Sequence, residues 1–233
     1  MAKLIYILRI HYVMLISNLL IFVLAIGVAS CFFINLLSYE NNVYFTNYEI
    51  IKNYLDSSHL FIQMISIIVS MMIFSNSFSE KNDNYSIFLI RKGYSRSYYL
   101  LSKIIVILTI IFIYLLVSFE LFILVGKAKN LYFNFEFIYL NIYFKIFIIS
   151  IFFGFLCLFF QQLIKSIYAL IISFSLYICS LIILNLEYNI KKVIGLFIIL
   201  IDNYIFINGL FHSIFVLVCL LSLNLYIYNK KDL

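Results

Sequence analysis

No proline and no tryptophan occur in this chain of 233 residues, glycine occurs only six times, and charged side chains make up 11%. Each shortage excludes something. Without proline, any break in a helix must come from glycine, asparagine or aspartate. With so few charges and 66% hydrophobic residues, the chain cannot supply the polar surface of a soluble domain of this length. Apolar and polar residues do not alternate along the runs, which rules out a transmembrane barrel. Cys31, Cys157, Cys179 and Cys219 all lie inside apolar runs, with no Cys-x-x-Cys pair and no histidine at ligand spacing, and read as small buried hydrophobes. Catalytic signatures are absent too: there is no GxxxxGK(S/T) phosphate loop, HExxH zinc pair, GxSxG serine elbow or GxGxxG cradle. His11, His59 and His212 lie far apart along the chain, His11 just ahead of the first span and the other two on different spans. The chain is therefore not read as an enzyme. Its 26 Phe and 20 Tyr, with many Ile and Asn, read as codon bias toward AT-rich DNA.

The mean hydropathy is +1.12, and the apolar residues cluster in runs of about 20, enough helix to cross roughly 30 Å of hydrocarbon at about 1.5 Å per residue. An all-α polytopic membrane protein follows, in one domain without visible internal repeats. Six spans are expected: Val13–Leu37, His59–Asn76, Leu101–Val125, Ile138–Gln162, Ile167–Leu184 and Ile207–Tyr228. Val28-Ala29-Ser30-Cys31 fits a lipoprotein cleavage pattern, yet the apolar run continues through Phe33 and Ile34, so this stretch is read as a retained first span. Before it, Leu4, Ile7 and Leu8 share one side of a helix with Lys3 and Arg9 elsewhere, as in a helix lying at the membrane interface. Val193–Ile201 would reach only about 14 Å as a helix and is followed by Asp202-Asn203 and Asn208-Gly209. It is expected to form short re-entrant or external helices before the last span.

Six spans place both termini on one side. That side holds ten Lys and Arg residues against six on the other, which predicts cytoplasmic termini in the cell membrane. The most informative segment is the polar island of 27 residues between the second and third spans, Ser77–Lys103. Lys81, Arg91, Lys92, Arg96 and Lys103 against Glu80 and Asp83 leave it at +3. Inside it, Tyr85-Ser86-Ile87-Phe88-Leu89 has the pattern of a short amphipathic helix parallel to the membrane. Contact with anionic headgroups is one reading of such a loop. Its length and central apolar patch favour a surface that docks a partner.

This stretch resembles the first cytoplasmic loop of type-2 ABC exporter permeases. In that family an acidic residue follows the second span, then come a short coupling helix and a basic-Ser-Arg, aliphatic-aliphatic-x-Lys run opening the third span. Here these are Glu80, the Tyr85–Leu89 piece, Gly93-Tyr94-Ser95-Arg96 and Leu100-Leu101-Ser102-Lys103. Gly93-Tyr94 stands where family members often carry a proline. Span number, cytoplasmic termini, the interfacial helix and the short external helices extend the resemblance over the whole chain. It implies a permease subunit that pairs with a second copy or a paralogue, as a homo- or heterodimer, and docks separate ABC ATPase subunits. ATP and its magnesium would then bind to the partner, and this chain would hold no cofactor and no nucleic acid. The docking residues it implies are Glu80, Tyr85, Phe88, Arg91, Lys92 and Arg96. The cargo class it implies is amphipathic peptides, antibiotics or lipids, with peptide export or peptide immunity as the refinement.

Two polar stripes bear on a pathway. On the second span His59, Gln63, Ser66 and Ser70 fall within about 60° of helical arc, and Ser166, Ser173, Tyr177 and Ser180 do so on the fifth. In resembling permeases these spans flank the central path. The stripes serve equally as hydrogen-bonding glue between helices. Glu120, the one acid well inside a run, sits seven residues before Lys127 near the outer boundary and reads as a paired structural group. Ala25, Gly27 and Ala29 would allow close packing of the first span. The reading from another class is a stand-alone immunity or scaffold protein of the membrane, with no ATPase.

Overall fold

The computed structural model describes residues 6, 8, 10–11, 47–78, 89–90, 93–128, 137–184 and 208–230. The expected first span, residues 79–88 and 91–92 of the Ser77–Lys103 island and Val193–Ile201 lie outside the described residues. Within them, every residue in regular structure is helical. The five helices are α1 (Asn47–Ser77), α2 (Arg96–Ala128), α3 (Phe137–Leu163), α4 (Ser166–Leu184) and α5 (Asn208–Lys230). Each contains one of the five later apolar runs, apart from the single residue Ile207 ahead of α5. Arg96–Leu124, Asn141–Leu163 and Ser213–Lys230 are long and apolar enough to cross a membrane. The chain is thus a multi-pass helical membrane protein.

Serine and threonine are frequent in these runs without breaking them, because their hydroxyls bond the carbonyl three or four residues back. Ser118 donates to Tyr114 O at 2.9 Å, Ser150 to Ile146 O at 2.7 Å and Thr109 to Val106 O at 2.7 Å. A hydroxyl satisfied inside its own helix needs no water, which is what a bilayer demands.

α3 is the central helix, with α1 as its main neighbour and α4, α5 and α2 around it. Inter-helix bonds fix the directions. Ser70 Oγ donates to Ser150 O at 2.6 Å and Gln161 Nε2 to Ser75 O at 2.9 Å, so α1 and α3 run parallel. Between these two bonds lies Gly154, where an added Cβ would overlap the Phe74 ring and stand 2.7 Å from Ser70 Oγ. Ser150 and Gly154 form a small-xxx-small pair that lets α3 approach α1 closely, the usual basis of helix adhesion in lipid. α4 returns antiparallel: Ser75 Oγ donates to Ser166 O at 3.4 Å at one end, and Tyr177 packs edge-on against Phe153 at 5.3 Å further along. α5 is antiparallel to α2, because Ser97 at the start of α2 bonds Asn229 at the end of α5.

One end of the bundle therefore gathers the C-terminal ends of α1, α3 and α5 with the N-terminal ends of α2 and α4. The opposite end holds an aromatic cluster. There His59 of α1 lies 5.0 Å from Phe122 of α2 and 5.8 Å from Tyr143 of α3, and Phe119 meets Tyr143 at 4.8 Å. Outward faces are apolar, with Phe112, Leu116 and Val117 on α2, Ile167 and Ile171 on α4, and Phe215 and Val218 on α5 all exposed. Such faces suit lipid rather than water. Glu120 is exposed on α2, and 24 residues beyond Arg96 it stands about 36 Å along the helix, at headgroup depth on the far side.

Candidate functional site, a junction where the polar island enters the bundle

Gly93 and Ser95 make the local geometry. Leu89 and Ile90 are helical; then Gly93 takes φ +87°, a region that non-glycine residues rarely adopt. Its N–H donates to Ile90 O at 2.9 Å and the Tyr94 N–H to Leu89 O at 3.2 Å. This bond pair is the Schellman arrangement that ends a helix. Two residues later Ser95 caps α2, its Oγ accepting from Tyr98 N at 3.3 Å and its carbonyl from Tyr99 N at 3.1 Å. Glycine thus makes the break in a chain without proline. Leu89 is buried in the main core, with Tyr94 against it, so the end of the island's helical piece is packed onto the bundle.

Beneath this break four segments meet around Tyr99. Its ring is buried, stacks on Tyr228 of α5 at 6.4 Å and takes the His11 ring edge-on at 5.0 Å. Lys103, one turn further along α2, is 4% exposed and donates from Nζ to Tyr99 Oη at 3.0 Å. The same ammonium lies 4.5 Å from the Phe78 ring centroid and 5.1 Å from that of Tyr99, so π-faces supply part of the stabilisation that water gives elsewhere. At the surface, Arg96 Nη1 donates to Asn229 O at 3.2 Å. Ser97 and Asn229 exchange side-chain bonds, Oγ to Oδ1 at 3.0 Å and Nδ2 to Oγ at 2.8 Å.

His11 precedes the expected first span and is 2% exposed, and its Nε2 has no hydrogen-bond partner among the described residues. Burial first, and the nearby Lys103 charge second, lower its pKa from 6.5 to about 4. The unfolded chain therefore binds this proton more readily than the folded one. The neutral imidazole's contribution is complete above pH 6.5 and is lost as pH falls toward 4. Over that window the loss amounts to about 3 kcal/mol. Melting temperatures in detergent should fall between pH 6.5 and 4, and His11→Gln should flatten that part of the curve. An unchanged slope in the variant would remove His11 as its source.

Of the docking residues expected from sequence, Arg96 sits on this junction, while Glu80, Tyr85, Phe88, Arg91 and Lys92 lie outside the described residues. The polar stripes turn inward. Ser66 bonds the carbonyls of Ile62 and, at 3.1 Å, half-buried Gln63, while Ser70 bonds α3. Ser173 donates to Ala169 O at 2.8 Å and Ser180 to Tyr177 O at 2.6 Å. Ile67 and Met71 of α1 and Tyr177 of α4 share one cluster with Phe152, Phe153 and Cys157 of α3. Both stripes thus converge on α3, and His59 stands apart in the aromatic cluster of the opposite end. Among the described residues no three His, Cys, Asp or Glu side chains come together as a metal site. Sequence reading missed Tyr99, Tyr228, Ser97 and Asn229. The one available signal was Asn229-Lys230 at the close of an apolar run, which looks like any span end.

No protein-family model matches the chain, and no curated protein matches it in sequence.

Proposed function

We propose that this chain is the transmembrane subunit of an ATP-driven ABC exporter, with six spans, both termini in the cytoplasm and the Ser77–Lys103 island as the dock for a separate ATPase. A second permease copy or paralogue completes the membrane pair, and ATP with magnesium binds on the partner. The observation that carries the reading is the helix–Gly93–Ser95–helix break. A short helical piece ends in one cap and α2 begins from the next, at the end of the bundle that also bears Arg96, Lys165 and Lys230. The partner's closure would push that piece and, through α2, switch the pair between inward-open and outward-open states. In this reading His59, Gln63, Ser66, Ser70, Ser173, Tyr177 and Ser180 border the path of an amphipathic peptide, antibiotic or lipid. One observation favours a stand-alone immunity or scaffold role instead: most stripe hydroxyls are already bonded inside the chain's own packing.

The two readings separate on copurification. Tagged protein expressed with its neighbouring genes should bring down an ATPase, and Arg96→Glu or Glu80→Lys should release it. If complex formation is indifferent to every change in Ser77–Lys103, the docking assignment falls.

A further inference from the structure

We infer that the end of α5 is the second half of the docking surface, and that the partner meets it with acidic side chains. The inference rests on the exporter reading. Arg96 and Lys230 are 134 positions apart in sequence. Asn229 nevertheless brings their segments together, its carbonyl taking the Arg96 guanidinium and its amide exchanging bonds with Ser97. One turn deeper the Tyr99–Tyr228 stack repeats the contact. The start of α2 and the end of α5 are therefore held at two successive levels, one polar and one aromatic. Above the polar level, Lys230 is exposed beside the Arg96 clamp, its Nζ 4.5 Å over the ring of Tyr226, which is itself exposed. The described residues of this patch carry cations and no acid. A partner that binds only the island would have to skirt Lys230, whereas one with a carboxylate-bearing surface gains from crossing both. Charge complementarity of this kind sets association rate and salt dependence more than packing does.

The test uses the full-length protein and the ATPase that copurifies with it, identified by its ATP hydrolysis, with binding followed as a function of salt. Lys230→Glu should weaken binding about tenfold and make its salt dependence shallower, since one charge pair has become repulsive. Asn229→Ala, which leaves the cation and the backbone carbonyl that takes Arg96 but removes both side-chain bonds to Ser97, should weaken binding less and should raise amide exchange in residues 93–98 and 225–230 together. Melting temperature guards against unfolding, and Lys230→Gln supplies a second variant free of repulsion. Binding that Arg96→Glu abolishes while Lys230→Glu leaves intact would overturn the inference and leave the exporter reading standing; α5 would then end among lipid headgroups. Absence of any ATPase partner would overturn both.

Discussion

Replacing Gly154 by leucine is expected to unfold the bundle at a markedly lower temperature in detergent. Even a methyl group at this position overlaps the Phe74 ring and crowds Ser70 Oγ, so a full isobutyl group forces α3 away from α1. The separation breaks more than van der Waals contact. It stretches the Ser70–Ser150 bond and, seven residues beyond Gly154, the Gln161–Ser75 bond, leaving polar atoms unsatisfied where no water reaches. Overpacking of this severity costs about 3 kcal/mol, and Gly154→Ala should cost roughly 1 kcal/mol. Phe74→Ala in the Gly154→Leu background should recover part of the loss, because the ring is the main obstacle and neighbouring substitutions are not additive. Wild-type melting of the leucine variant would mean that the two helices do not approach as closely as described.

Tyr99→Ala is expected to be the most damaging change at the junction. The ring is buried against His11, Tyr228 and the Lys103 ammonium, and its removal should cost about 3–5 kcal/mol, as for other large aromatic truncations. Tyr99→Phe separates the components. It keeps the ring contacts and deletes the hydroxyl that accepts from Lys103 at 3.0 Å, a loss of about 1–2 kcal/mol. Melting curves of the two variants decide the matter. If Phe were as harmful as Ala, the hydroxyl rather than the aromatic packing would hold the junction.

The helices themselves were legible from hydropathy, and their limits less so. The run His59–Asn76 marks only the later part of α1, which begins at Asn47. Hydropathy reports where a segment meets hydrocarbon, whereas backbone bonding continues through polar residues such as Asn53 and Asp56 with nothing in the sequence to stop it. The end of the island's helical piece, expected at Leu89, falls further along: Ile90 is still helical, and the stop comes at Gly93 before Ser95, where a residue tolerant of positive φ is followed by a good N-cap. What sequence could not show was register. The Ser70–Ser150 bond joins residues 80 positions apart, and the Asn229–Ser97 exchange joins residues 132 apart. Those pairings depend on how whole helices slide and rotate against each other, which no local pattern encodes. The stripes illustrate the same limit: their spacing identified a common face on each helix, and only the packing reveals that both faces turn toward α3.

The two caps at Gly93 and Ser95 have a mechanical consequence. Between Gly93, which closes the island's helical piece, and Ser95, which opens α2, only Tyr94 intervenes, so little loose chain is left there to take up displacement. Leu89 is wedged into the core, and the N–H groups of Gly93, Tyr94, Tyr98 and Tyr99 already have their partners. A tilt imposed on the short piece would therefore arrive at α2 nearly undiminished, as through a gear cut without backlash.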